Sequence, residues 1–295
     1  MRYEARGSAG AVLLKWLGFF GVFMIASTIL GFVGALAVGS AGVPAVLLAA
    51  AAGVVGWAGA RMASDPRARH PVMGSALLTL ALVAAYGALA LFALAAGGQI
   101  DRLFGSLLFP VAAAALAVAY AFRQRWPLLL GLLFFFHGVG SSHAYAGSGV
   151  YFADIADPRL MAVVAACAVG FGLFHERQLE AGSLGRHVGF GSLYIVLGLL
   201  YVDLSLWFLT IPVPVTSRVL LFAAVALGEI VAGAALKDSR FTGFGIVFLA
   251  INLYTRMFEN YWDRMSVGTF LIVAGGGALA LGFAFERLAS RPERE

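Results

Sequence analysis

Apolar residues run along this chain in long blocks broken by short polar seams, and the blocks have the length of helices that cross a bilayer. A helix rises about 1.5 Å per residue, so a hydrocarbon layer about 30 Å thick takes roughly 20 apolar residues to cross. On that measure ten spans are predicted, over residues 11–38, 43–60, 72–96, 103–121, 127–140, 160–174, 188–211, 217–236, 241–256 and 267–285. The fifth, sixth and ninth are short and are expected to tilt little or to extend into their flanks. The expected fold class is all-α, a polytopic integral membrane protein forming one membrane domain over 1–295.

The polar seams supply a direction. With the N-terminus in the cytoplasm, alternate seams hold Arg2, Arg6 and Lys15; Arg61, Arg67 and Arg69; Arg123 and Arg125; Arg177 and Arg186; Lys237 and Arg240; and Arg287, Arg291 and Arg294. Those are 15 of the 20 basic residues, against Arg102, Arg159, Arg218, Arg256 and Arg264 on the other side. Cytoplasmic seams of membrane proteins are enriched in Lys and Arg, so the split predicts both termini in the cytoplasm. The same split accounts for a pI of about 9.6 without any nucleic-acid partner.

Composition agrees. Hydrophobic residues make up 61% of the chain and charged residues 12%, and mean hydropathy is +0.92, which excludes an ordinary soluble domain. The one cysteine, Cys167, lies in an apolar run and can form neither an internal disulfide nor a cysteine metal cluster. Arg2, Arg6 and Lys15 precede an apolar run much longer than the roughly 7–15-residue core of a signal peptide, so that run is expected to stay as the first helix.

The blocks also repeat. RHPVMGSALLTLALVAAYG (69–87) resembles RHVGFGSLYIVLGLLYVDL (186–204), sharing R-H-x-x-x-G-S, and VGFGLFHER (169–177) resembles LALGFAFER (279–287). Arg102 matches Arg218 and Arg125 matches Arg240. Four helices over 69–177 are therefore expected to recur over 186–290, after a two-helix half unit over 11–60 whose GWAGARMAS echoes LGFAFERLAS. An even number of helices preserves direction, so the repeats would be parallel, related by an axis along the membrane normal.

No phosphate-binding loop, zinc-binding H-E-x-x-H, serine-hydrolase G-x-S-x-G or Cys/His metal spacing occurs, and no metal or cofactor is expected. What remains are ionisable groups at membrane depth, which are costly there and so mark candidate sites. Asp203 falls about 22 Å along an outward-running helix and Arg256 at a similar height on another, which suggests an ion pair; Asp203 stands where the first repeat has Tyr86. The pair is expected to act as a packing clamp between the two hairpins of the second unit, with a substrate- or proton-handling carboxylate as the alternative. Glu229, about 10 Å from the cytoplasmic end of its helix, is expected to snorkel or to pair with a lysine. His137 ends a phenylalanine run near mid-depth and is expected to hydrogen-bond a neighbouring backbone group.

The outer connection GVGSSHAYAGSGVYFADIADPR offers His143, Tyr145, Tyr151, Asp154 and Asp157. Its carboxylates and histidine could coordinate a cation; the interfacial preference of tyrosine favours a solvated loop with its aromatics at the headgroups. Its counterpart in the second repeat is YTRMFENYWDRM (254–265). On a helix Tyr254, Phe258, Tyr261 and Met265 share one side, and Arg256, Glu259, Asn260 and Asp263 the other, so an amphipathic extension at the interface is predicted. Glu259 can pair there with Arg256 or Arg264.

INLYTRMFENYWDRMSVGTFLIVAGGGALALGFAFER resembles the end of bacterial predicted membrane proteins in the family called domain of unknown function 2157, in which an aromatic, arginine-containing turn precedes a glycine-bearing helix ending in Glu-Arg, here Glu286-Arg287. The resemblance covers residues 240–290. It implies a bacterial inner-membrane protein and carries no activity or functional residues with it.

Two roles fit these observations. Few buried ionisable groups, and small residues such as Gly275, Gly276, Gly277 and Gly282 that allow close helix approach, favour an assembly or accessory subunit that meets a membrane-protein partner or a second copy of itself in the bilayer. The alternative is a transporter or permease-like protein for a small apolar or amphipathic substrate, with its site where the repeats meet. A third, an intramembrane enzyme, would need convergent catalytic groups, for which only Asp203, Glu229, His137 and the outer-loop residues are available.

Overall fold

In the computed structural model the described residues are 41–64, 71–97, 100–141, 157–211 and 216–261, with scattered positions between 21 and 25 and between 264 and 283. Every longer regular element among them is helical: α1 (Gly42–Ser64), α2 (Pro71–Ala95), α3 (Ile100–Phe122), α4 (Arg125–Ser141), α5 (Pro158–Phe174) continued by a π-helical turn (His175–Leu179), α6 (Phe190–Thr210), α7 (Thr216–Leu236) and α8 (Ser239–Tyr261). These are the second to ninth predicted spans. Of the first and tenth only scattered positions are described, and those are helical. Among the described residues seven helices are long and apolar enough to cross a membrane, with α5 counted through its π-helical turn; α4, at 17 residues, is shorter.

The short spans lengthen as expected. Asp157 caps α5, accepting from the amides of Arg159 and Leu160, with Pro158 at the first helical position, where its missing N–H costs nothing. α8 runs on through Tyr261, with Tyr254, Phe258 and Tyr261 exposed on one side.

The chain forms two compact units, 1–198 and 199–295, the boundary falling within α6. In the first, α1 pairs with α2, and α3 with α4. α1 and α2 approach closely at small residues: a Cβ on Gly59 would meet the Leu78 backbone at 2.9 Å, and one on Gly74 the Ala63 backbone at 3.0 Å. In a bilayer, where lipid tails are as apolar as leucine, such van der Waals contact holds helices together. Tyr86, Leu108 and Val111 form a core with Phe134 against them. α5 and α6 meet in the same manner, with Gly172, Gly191 and Gly198 at the crossing.

The second unit joins the last half of α6 to α7 and α8 around Leu206, Phe222 and Phe248. α7 and α8 form a hairpin whose closest approaches fall at Gly233, against Thr242, and at Gly245, against Ala226 and Ile230. Large apolar side chains such as Leu220, Val231 and Val247 point outward, while Asp203, Thr210, Glu229 and Asn252 are buried. That inversion of the soluble pattern suits a helix bundle whose surroundings are hydrocarbon.

Candidate functional site

The acidic residues of α6 and α7 come together. Asp203 on α6 has no exposed surface and Glu229 on α7 keeps only 8%. Neither Asp203 oxygen, nor Glu229 Oε2, receives a hydrogen bond from any other N–H or O–H among the described residues. The two carboxyl groups lie near enough to act on each other. A carboxylate has no hydrogen to donate, so a bond between two carboxyl groups requires a proton on one of them. Two adjacent carboxyls out of water cannot both be ionised without severe cost. Such an arrangement can hold a proton.

The expected Asp203–Arg256 ion pair does not form. Arg256 instead gives one arm to Thr210 Oγ1 at 3.2 Å and the other to Glu259, three residues along its own helix. The reason is energetic: at the end of α8 a carboxylate one turn away meets the guanidinium without either charge leaving partly wetted surroundings. Nor does Glu229 snorkel, because it faces across to α6 rather than along α7. The side-by-side register of the two helices also places Arg218 against the Leu209 carbonyl, at 3.3 Å.

Around Arg256 the end of the second unit opens into a cleft of about 560 Å³, lined by Ile211, Thr216, Val219, Arg256, Glu259 and Asn260. Its floor is braced. Thr210, fully buried, donates to the Trp207 carbonyl at 2.7 Å; the Trp207 indole donates to Thr255 Oγ1 at 3.0 Å, and Thr255 donates to the Ile251 carbonyl. One turn inward from Arg256, Asn252 is 3% exposed; its amide donates to the Val219 carbonyl, and its Oδ1 accepts from no group among the described residues.

A second polar cluster lies in the first unit, where the chain passes from the π-helical turn to α6. Glu180 accepts from the backbone amides of Gly189 at 2.7 Å and Gly191 at 2.8 Å, and its carboxylate meets His175 Nδ1 at 2.9 Å. It therefore caps α6 from outside the helix, at the end where free N–H groups and the helix dipole favour an anion. Burial works against its charge, yet the amides of Gly191 and Gly189 and the His175 ring outweigh that and hold the carboxyl below its usual value. Beside it His187 Nε2 meets the Tyr120 carbonyl at 2.9 Å, and Arg125 donates to the Val188 carbonyl at 2.6 Å. His175 is completely buried among Tyr120, Phe171, Phe190 and Tyr194.

Of the remaining candidates, His137 sits half-buried on α4 in the first unit, away in sequence from the carboxyl pair. Asp157 serves as the α5 cap. His143, Tyr145, Asp154 and Asp263 lie outside the described residues, and no His, Cys, Asp and Glu among the described residues group as metal ligands. Sequence reasoning missed the Asp203–Glu229 contact and the Glu180 cap. The first had a signal: these are the acidic residues of two consecutive apolar helices with a five-residue connection between them. The second had a weaker one, a glutamate ahead of the glycines of R-H-x-x-x-G-S.

Comparison with known proteins finds no matching family model, no matching curated protein and no matching solved structure.

Proposed function

We propose that the chain is a multi-pass protein of the bacterial inner membrane that carries a small solute across the bilayer in step with protons, with Asp203 and Glu229 as the proton-holding pair. The observation that carries this reading is the contact between two buried carboxyl groups within the apolar helices of the second unit. A packing role alone is served better by apolar residues of the same volume, since a buried polar pair costs desolvation that leucine or phenylalanine does not. An assembly or accessory role, argued from the scarcity of buried ionisable groups, has no use for two of them placed side by side.

The reading includes ten spans, cytoplasmic termini and a parallel repeat over 69–177 and 186–290. Three features support the repeat. The α3–α4 and α7–α8 turns both pass through a basic residue in left-handed backbone, Arg123 at φ 57° and Lys237 at φ 53°. In each, the following amide closes back on the fourth-last helical carbonyl, Gln124 to Ala119 and Asp238 to Gly233. The glycine of R-H-x-x-x-G-S is a close-contact position in both copies, Gly74 against α1 and Gly191 against α5. A partner protein or a second copy in the bilayer is compatible with this arrangement.

A proton-exchanging pair needs water access, whereas a packing pair does not. Position 203 is tested as cysteine in a Cys167→Ser background, with an impermeant thiol reagent applied to each side of oriented vesicles. Labelling from one side or the other is expected. No labelling there, alongside full labelling of a Ser148→Cys control, removes the transport reading. Because Asp203→Cys disturbs the pair itself, the unaltered carboxyls are tested in parallel with a lipid-soluble carbodiimide, which modifies protonated carboxyl groups. Adducts on the peptides holding Asp203 or Glu229, fading as the pH is raised, are the expected result.

A further inference from the structure

We infer that the cleft at the end of α6, α7 and α8 binds a small zwitterion, one carboxylate and one ammonium group beside a short apolar branch. As the solute site of the proposed transporter it rests on that reading for its role. Its binding chemistry stands on the cleft alone.

At about 560 Å³ the cleft has the size of a small-molecule site, and it holds opposite charges side by side. Arg256 is a cation fixed before any ligand arrives. Its Nη2 is anchored on the buried Thr210 hydroxyl, which is itself anchored on Trp207, and Trp207 is tied to α8 through Thr255. A guanidinium held in this way offers its remaining N–H groups to a carboxylate with little ordering left to do. The Thr216 hydroxyl lines the same cleft as a second donor.

The acceptors sit beside these donors. Glu259 now neutralises Arg256, and Asn260 uses its Nδ2 on the Arg256 carbonyl at 2.7 Å, which leaves its Oδ1 as an acceptor. An ammonium group fits between Glu259 and Asn260 Oδ1. Ile211 and Val219 supply an apolar wall. A ligand carrying only a carboxylate would leave Glu259 as an unmatched negative charge beside it. A ligand carrying only an ammonium would leave Arg256 unmatched. A zwitterion replaces the Arg256–Glu259 bond with one charge-assisted bond to each, so no charge in the cleft goes without a partner.

Beneath the cleft, Asn252 lies one helical turn from Arg256 and is bonded to the carbonyl of the cleft-lining Val219, with a buried oxygen that accepts from no group among the described residues. A buried acceptor without a partner in a native fold marks a place where a water or ligand donor belongs. Asp203 stands seven residues back along α6 from Thr210, about 10 Å of helix rise. Solute and proton sites would then be stacked within one three-helix unit.

The test is equilibrium binding of tritiated L-valine to the full chain in lipid nanodiscs. Isovalerate, which is valine without its amine, and isobutylamine, which is valine without its carboxylate, serve as competitors. Saturable valine binding is expected, with each competitor weaker by about tenfold or more, the usual worth of one charge-assisted bond. Glu259→Gln should lose valine affinity by a similar factor while narrowing the gap to isovalerate, and Arg256→Gln should abolish binding. Glu259 lies at the partly exposed rim, so its variant reports on binding even where Arg256→Gln fails to fold. No saturable valine binding, or isovalerate binding as tightly as valine, overturns the proposal. Valine binding without water access at position 203 would uphold the cleft and remove the proton-coupled reading, so the two can fail separately.

Discussion

Glu180 shows how much one side chain can hold at the edge of a membrane helix. Its carboxylate takes two backbone N–H groups at the start of α6 and faces His175 on the π-helical turn. Removing it leaves those donors without their partner, at about 1–3 kcal/mol. Glu180→Ala is therefore expected to lower the unfolding temperature of the detergent-solubilised protein clearly, and Glu180→Gln, which keeps one acceptor oxygen, to lower it less. The pH dependence has a definite sign. In the folded protein the carboxyl sits below its ordinary value of 4.5, so the unfolded chain binds the proton more readily. The stabilisation is complete above that ordinary value and is lost as the pH falls through the lower folded value. Melting curves recorded down to acid pH should show the wild-type advantage over Glu180→Ala shrinking below about 4.5 and not above it. An advantage that is constant through that range would mean that the cap acts by shape rather than charge.

At the scale of elements, the helices were legible because hydrocarbon thickness sets their length. The eight described helices begin and end within a few residues of the predicted spans, except where polar ends extend them, as at Tyr261 and Ser64. Register was not legible. Counting depth from the end of each helix placed Asp203 and Glu229 at different heights and Asp203 and Arg256 at the same height. Asp203 and Glu229 nevertheless meet across α6 and α7, a register shifted from that count. Nothing in hydropathy encodes such a shift; it depends on which small residues let backbones meet. Within α8 that dependence separates two glycines only two residues apart. A Cβ at Gly245 would enter α7 at Ala226 and Ile230, whereas one at Gly243 meets nothing within 4 Å among the described residues. Gly245→Ala should destabilise the α7–α8 hairpin by about 1–3 kcal/mol through overpacking. Gly243→Ala should be neutral or stabilising by up to about 1 kcal/mol, since alanine forms helix better than glycine. Unfolding of the two variants in the same detergent would separate these outcomes, and equal losses would show that α7 and α8 do not meet at Gly245.

For the whole molecule, the strongest constraint is the parity of helices between chemically similar turns. Arg123 and Lys237 both terminate helices in left-handed backbone and are separated by α4, α5, α6 and α7. If each of those four helices crosses the bilayer, the two turns would emerge on the same side, which the proposed reading takes, from the distribution of Arg and Lys, as the cytoplasm. Asp157, separated from the first turn by α4 alone, would then emerge on the other side. α4 is the deciding element. Its 17 residues rise only about 25 Å, shorter than a typical hydrocarbon core, so it spans only upright or across a locally thinned bilayer. Single cysteines at positions 124, 157 and 238 in the Cys167→Ser background test this directly with an impermeant reagent on sealed vesicles of known orientation. Labelling of 124 and 238 from the cytoplasmic side and of 157 from the opposite side is expected. If 157 labels with 124, α4 re-enters rather than spans; residue 238 then moves to the opposite side, and the parallel repeat gives way to one of opposed topology. The proton-holding pair would remain, but the cleft at Arg256 would open to the cytoplasm.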